Sequence, residues 1–382
     1  MINDKYDIAV IGGGIAGASV AYRLAMAGRS VVLLERESQP GHHTTGRSAA
    51  VYTQAYGNAV IRGLTVAGES FFADPSPDFC SGPLLSPRGA MFVGTEEQTA
   101  ALDAACEEAR RFVPSVLRLS PEETLQRVPI LRPEAVSGGA VLEPDARDID
   151  VDALLQGFLR GFKGGGGSLV CDAAVTSLSR SGGGWRIGTE TGAIFNAAIV
   201  VNAAGAWCDE IADLAGAAPV GLVPKRRTVI LIDPPSGAVI DRWPLVIGVA
   251  EDFYFKPQSG QLLCSPADET PSPPCDAWAE ELDIAVTADR IQTVADIEVT
   301  KINHSWAGLR SFVADKTPVA GFDPAVPGFF WLAGQGGYGI QTSPALSRAA
   351  AALIAGDDLP SDIQDRGVTA GALSPRRFGN RE

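Results

Sequence analysis

The chain has 382 residues, 46% of them hydrophobic and 20% charged, and a formal charge of −14. That length suggests about two domains of roughly 100–200 residues, and the acidic balance argues against partners with phosphate backbones or anionic lipid surfaces, so neither nucleic-acid binding nor membrane insertion is expected. Six scattered cysteines without a CxxC pair, and only three histidines (His42, His43, His304), argue against a metal centre and a disulfide framework and fit a reducing cytoplasm.

The opening "MINDKYDIAVIGGG" lacks a cationic start and a long apolar stretch, so no secretion signal is expected. No apolar run reaches the roughly 18–20 residues that cross a bilayer. Residues 6–11 form a short apolar run of strand length. A glycine turn follows, then "IAGASVAYRLAMAG" with helical spacing and Gly28 placed to end it, then the buried strand "SVVLLE". This is a βαβ unit. Further on, "AEEL" and "EETLQRV" read as surface helix. The stretch from "LLQGFLRGFK" to "WRIGT" reads as helix, loop, strand, hairpin turn and strand. "AAIVVNAAGAWCDEIADLAG" is a buried strand running into a helix, and residues 225–264 alternate like antiparallel strands. "ADETPSPPCDA" reads as loop. "GFFWLAGQGGYGIQTSPALSRAAAALIAG" is again strand, glycine turn and helix, with Pro344 near the helix start. The polar tail after about residue 357 reads as loosely ordered.

Gly12, Gly14 and Gly17 make a GxGxxG between strand and helix. Gly12 permits the tight turn, Gly14 the approach of a pyrophosphate, and Gly17 close helix–strand packing. The helix N-terminus offers N–H groups to phosphates. Glu35, ending the second strand, can accept both hydroxyls of a ribose. Three later features favour FAD over NAD. "GHHTTGRSAAVYTQAYG" replaces the next crossover helix; "VVNAAGAW" is a second strand-to-glycine turn; and "LAGQGGYGIQTS" can hold negative charge developing on a reduced flavin. One arginine, Arg310, stands in the strand-like run "SWAGLRSFV". Its guanidinium needs an anion there, either an internal carboxylate or a ligand's.

The stretches "GHHTTGRSAA", "PLLSPR", "VNAAGAWCD", "PKRR", "FYFKP", "WAGLRSFVAD" and "AGQGGYGIQTS" resemble the FAD-dependent D-amino acid oxidase, glycine oxidase and sarcosine oxidase family, most of all its bacterial D-arginine dehydrogenase branch. The resemblance implies an α/β fold with an α+β substrate part: a Rossmann-like FAD-binding domain interleaved with an antiparallel-sheet substrate domain. The FAD part is expected at 1–55, 145–220 and 320–360, and the substrate part at 56–144 and 221–319. The implied reaction is oxidation of a carbon–nitrogen bond, with hydride passing to flavin N5.

The resemblance also assigns residues. Gly12, Gly14, Ile15, Ala16 and Gly17 would cradle the pyrophosphate, with Glu35 and Arg36 at the adenosine. Thr45, Gly46, Arg47, Ser48, Ala49 and Ala50 would follow the cofactor, as would Val175, Ala204, Gly205 and Trp207. The last glycine segment adds Gly336, Gly337, Tyr338, Gly339, Ile340, Gln341 and Thr342. Arg310 would bind the substrate carboxylate with Tyr254 and Tyr56 beside it, and the Gly337 carbonyl would meet the amine. Arg226, or its neighbour Arg227, would stand near the site, with Val51 and Ala90 around the side chain. His42 and His43 are loop residues. No general base is needed if the amine arrives neutral.

The chain departs from the branch at Val51 and Ala90, where a histidine and an acidic residue are usual. This points to neutral, apolar D-amino acids over cationic ones. "GQLLCSPA" lacks the lysine that oxidase relatives place near the flavin, which points to an acceptor other than oxygen, of open identity. No cysteine stands in "GQGGYGIQTS", so the FAD is expected to be non-covalent. Alternatives to D-amino acid oxidation are oxidation of an N-methyl or cyclic amino acid, or an inactive flavoprotein subunit.

Overall fold

The computed structural model describes residues 5–379; residues 1–4 of the stretch read for a leader, and 380–382 of the tail, lie outside them. The strand Lys5–Ile11 pairs in parallel with Val31–Leu34 on one side and Ile194–Asn202 on the other. Ser168–Val170 extends the sheet beyond Val31–Leu34, and Phe329–Ala333 joins Ile194–Asn202 in parallel. The central strands are apolar almost throughout because both sheet faces are covered. An antiparallel hairpin, Val175–Ser181 and Gly184–Thr189, completes one flank.

The helix Ile15–Met26 packs on this sheet through Ile15, Ala18, Ala21, Leu24 and Ala25. It ends as read: Gly28 is left-handed (φ +76°), and the chain turns back with Arg29 donating to the Leu24 carbonyl. The start of the helix depends on missing side chains. A Cβ at Gly17 would stand 1.8 Å from the Gly12 carbonyl oxygen. No rotamer relieves a clash with backbone.

A second sheet of nine strands carries the rest of the site. Val223–Ile232, Tyr254–Gln258, Gln261–Ser265 and His304–Phe312 are joined by antiparallel pairings, as the alternation suggested. Leu245–Gly248 differs. It is antiparallel to Tyr254–Gln258 but parallel to Ala90–Val93, a pairing between distant segments that local alternation does not encode. Within the stretch read as loop, Thr270–Pro271 forms a short strand against Lys225–Arg226.

Two further readings are corrected. Pro344, read near the helix start, is the sixth residue of the helix Gly339–Ala355 and so lies inside it. It leaves the Ile340 carbonyl without its usual N–H partner, and Ser343 Oγ donates to that carbonyl at 2.9 Å. The segment after residue 357 is ordered within the described residues. It forms short helices at Ser361–Gln364 and Ala370–Leu373, and Leu359, Ile363, Val368 and Leu373 join the core on the helix side of the first sheet.

Candidate active site

A cavity of about 460 Å³ runs from the first glycine turn to the face of the second sheet. Its volume lies in the range of small-molecule and cofactor sites. At one end lie Gly14, Ile15 and Ala16, with Thr44, Thr45 and the backbone through Ala50 above them. The helix N-cap, Gly14, has no side-chain cap; Thr45 Oγ1 accepts from Ile15 N at 3.0 Å. Glu35 is buried beside this turn. It accepts from Gly13 N (2.7 Å) and Glu37 N (2.9 Å), which fixes the carboxylate at the strand end. Trp207 lies between the Arg36 guanidinium (4.6 Å from its ring centre) and the His43 ring (4.7 Å).

The other end is set by strand alternation. Lys225, Arg227 and Val229 share one face of their strand, and Arg310 and Gly308 share the same face of its neighbour, because Lys225 opposes Arg310 and Arg227 opposes Gly308. Arg227, Val229, Gly308 and Arg310 therefore reach the cavity together. By the same rule, Ala90, Phe92, Leu245 and Ile247 form a continuous apolar wall, since Ala90 opposes Leu245 and Phe92 opposes Ile247. Tyr254 follows, opposite Ile247.

No carboxylate of the described residues lies within 4.0 Å of the Arg310 guanidinium. The internal ion pair that was one reading of this arginine is not formed. Burial works against the Arg310 charge, and the tyrosines around it, Tyr56 and Tyr254 first, more than offset that and raise its proton affinity. Arg227 goes the other way, lowered by burial and then by Arg310. Its Nε donates to the Asp268 carbonyl at 2.8 Å, and Glu269 stands 3.6 Å from its Nη2. Two guanidiniums facing one cavity, one without an acidic partner, make an anion site for a bidentate ligand.

The structure brings most of the expected residues onto this cavity: Gly14, Ile15, Ala16, Thr45, Arg47, Ser48, Ala49, Ala50, Gly205, Gly336, Gly337, Gly339, Ile340 and Gln341, with Tyr56, Tyr254, Arg310, Val51 and Ala90. Arg226 is a correction. It points to the opposite sheet face and pairs with Glu280 and Asp283 (2.9 Å) of the helix Glu281–Val294 and its cap; Arg227 takes the cavity position. Val175 does not border the cavity; it pairs with Thr189 on the hairpin, two residues after Ala173, whose N–H donates to the Glu35 carbonyl at 2.8 Å. Thr342 is fully buried, its hydroxyl donating to the Tyr338 carbonyl at 2.9 Å. Gly12, Gly17 and Gly46 shape turns without bordering the cavity, and Ala204 lies just behind its edge. Tyr338 stands behind Tyr56, ring centres 4.9 Å apart.

Sequence reasoning missed Thr44, Thr53, Phe92, Val229, Leu245, Ile247, Glu251, Glu269, Lys316, Ser311 and Gln335 on the cavity. Period-two alternation from Ala90 and Arg227 gives Phe92 and Val229; the others come from folding alone. His42 and His43, read as loop residues, converge on Asp276 with ligand atoms within 4.8 Å of one another. Arg47 already pairs with that carboxylate.

The profile of the family described as DAO, FAD dependent oxidoreductase, matches residues 7–353. The chain belongs to the DAO family of FAD-dependent oxidoreductases. It is 25% identical to "FAD-dependent oxidoreductase domain-containing protein 1" of Bos taurus, over 92% of this chain and 81% of that one. Its fold matches the crystal structure of glycine oxidase from Geobacillus kaustophilus with a TM-score of 0.82 at 23% identity, covering 93% of this chain and 96% of that one. It also matches L-proline dehydrogenase from P.horikoshii with a TM-score of 0.79 at 22% identity, covering 99% of both. The fold is therefore the mixed α/β architecture of this DAO family, a Rossmann-like FAD part with a sheet-rich second part.

The residues fit that cofactor. Ser311 Oγ and Gln335 Nε2 border the cavity as buried polar atoms without a partner among the described residues, and such atoms are expected to be satisfied by a ligand. The helix Gly339–Ala355 begins at the cavity with no side-chain cap, so its N–H groups are available to an electron-rich ring edge. No helix among the described residues is long and apolar enough to cross a membrane.

Proposed function

We propose that the protein oxidises the carbon–nitrogen bond of an α-amino acid, a D-amino acid with a neutral, apolar side chain. The observation that carries this reading is the half-buried Arg310 guanidinium, without an acidic partner among the described residues, beside Arg227 on a cavity also walled by Ala90, Phe92, Leu245 and Ile247. A carboxylate held by Arg310 and Arg227 leaves the side chain to that wall, where apolar surface gains roughly 25 cal/mol per Å² removed from water.

Bound FAD supplies a hydride acceptor. The chain's own residues bind, orient and exclude water. Arg310 anchors the carboxylate, so Cα has one position relative to the cofactor. Tyr254 and Tyr56 cover the anchored group, and the Gly337 carbonyl accepts from the amine and so orients it; the amine reacts in its neutral form, after one proton has left to water. The proposed division is an FAD part at 1–55, 145–220 and 320–360 and a substrate part at 56–144 and 221–319, with a cytoplasmic setting and non-covalent FAD. D-arginine is a poor fit, because the wall offers no carboxylate at Ala90 to meet a guanidinium.

A second reading, oxidation of a cyclic or N-methyl amino acid, is favoured by the likeness to L-proline dehydrogenase; the same clamp would serve it. Anaerobic bleaching of the flavin band with panels of D-, N-methyl and L-amino acids tests both. Bleaching by neutral D-amino acids first is the expected result, and bleaching by proline or sarcosine first moves the assignment to the second reading. A flavin that no panel bleaches sinks both.

A further inference from the structure

We propose that Glu143 sets the charge of the substrate cavity from behind its apolar wall, so that the site rejects substrates with an anionic side chain. The proposal rests on the amine-oxidation reading and adds the class of side chain. Glu143 is directly opposite Ala90 in the antiparallel pairing of Ala90–Val93 with Ala140–Glu143. Opposed residues project from the same sheet face, with Cβ atoms about 4.5–5.5 Å apart. Ala90 borders the cavity, and Glu143 lies beside it, 5% exposed.

Both carboxylate oxygens are used as acceptors. Thr53 Oγ1 donates to Oε2 at 2.5 Å and Gln54 N donates to Oε1 at 3.0 Å. Burial, the largest influence, raises the proton affinity of Glu143 above that of an ordinary carboxylate; the Thr53 and Gln54 donors hold the ionised form and counter only part of that rise. No Lys, Arg or His among the described residues stands within 4.0 Å of it. The charge is therefore held by neutral donors, and its field extends through the Ala90 wall instead of ending in an ion pair. Thr53 also borders the cavity, and its one proton is already given to Glu143. That stretch of wall thus presents no hydroxyl donor to an incoming anion.

The other carboxylates near the cavity differ. Glu269 is paired with Lys225 at 2.7 Å, and Glu251 is exposed, where water screens it. Arg227 and Arg310 stand on neighbouring strands of the second sheet, Arg47 (paired with Asp276) and Lys316 also border the cavity, and Glu143 is the buried carboxylate behind the Ala90 strand of that same sheet. An amino acid whose own carboxylate sits at Arg310 directs its side chain toward Glu143, and a second negative charge there is repelled across a poorly polarisable wall.

The test compares near-isosteric ligands on the FAD-loaded protein under anaerobic conditions, D-asparagine against D-aspartate and D-glutamine against D-glutamate. D-cysteate serves as an anion that does not protonate. Affinity is read from perturbation of the flavin spectrum and turnover from bleaching. The wild type is expected to bind the anionic member of each pair ~10–100-fold more weakly. Glu143→Gln is expected to narrow that gap about tenfold or more, while D-asparagine affinity moves by less than about threefold. A merely structural role for Glu143 would shift both members of a pair together. Should Glu143→Gln fail to fold, the double variant Thr53→Val/Glu143→Met removes donor and acceptor together and is expected to narrow the gap in the same way. A wild type that takes D-aspartate as well as D-asparagine overturns the proposal, as does a gap unchanged in the folded variant. If no amino acid perturbs the flavin at all, the amine-oxidation reading itself falls, and this inference falls with it.

Discussion

Gly337 lies flat against the guanidinium of Arg310: a Cβ at position 337 would stand 2.8 Å from Arg310 Cζ and 3.0 Å from Nη2. The glycine is therefore a spacing element for the arginine as well as part of the last glycine turn. Gly337→Ala is expected to push the guanidinium off its position, raising KM for the carboxylate-bearing substrate by ~10-fold or more with the FAD content of the protein unchanged. Steady-state kinetics beside flavin quantitation checks this, and an unaltered KM would mean the guanidinium tolerates the displacement.

Arg310→Met is expected to lower kcat/KM by on the order of a hundredfold or more, the effect of losing a charge-assisted bidentate contact, while FAD stays bound. Because Arg310 has no acidic partner among the described residues, no carboxylate there is stranded by the change and the fold should persist. A variant that cannot be purified folded would assign Arg310 to structure instead.

Adjacent arginines should separate cleanly. Arg227→Ala is expected to raise KM, since its side chain borders the cavity. Arg226→Ala should leave KM alone but lower stability by more than about 1 kcal/mol, because it strands Asp283, which is mostly buried and accepts from two Arg226 N–H groups. Kinetics and melting of both variants give the comparison, and the opposite pattern would reverse the strand face assigned here.

Ala90→Glu would seat a second carboxylate directly across from Glu143. Like charges so placed repel, so the new residue should gain little affinity for D-arginine by itself. The double variant Ala90→Glu/Glu143→Gln should gain more, and the excess over the two single changes measures the coupling. Additive effects would show that the two positions do not sense each other.

The purified protein is expected to be yellow and to release FAD on denaturation, and Glu35→Ala should weaken FAD retention. Its carboxylate also receives Gly13 N and Glu37 N, so the loss should combine a missing ribose contact with a loosened turn. Dialysis against excess apoprotein scavenger, followed by absorbance, measures it; retention equal to wild type would place the adenosine elsewhere.

What was legible in the sequence was what backbone geometry demands. Gly12, Gly14 and Gly17 announce their turn because no other residue fits it, and Arg310 stands out because a charge in an apolar strand needs an explanation. Arg226 and Arg227 were indistinguishable, since alternation says only that two neighbours face opposite ways; the pairing with His304–Phe312 decides which faces the cavity. Glu143 sits in an unremarked "LEPDA" and acquires meaning only from its register with Ala90. The apolar residues of the tail are too widely spaced within one-turn helices to show a period, and their burial is visible only against the core they meet.

That tail bears on how the chain is made. Lys5 waits for Asn196, about 190 residues later, before its strand has that neighbour, and the same sheet is finished only when Phe329–Ala333 arrives. Leu359, Ile363, Val368 and Leu373, later still in the chain, then close the helix face. At roughly 5–20 residues per second, the N-terminal strand spends on the order of ten to forty seconds without Asn196. The sheet that carries the glycine turn is therefore completed only by segments made long after the turn itself.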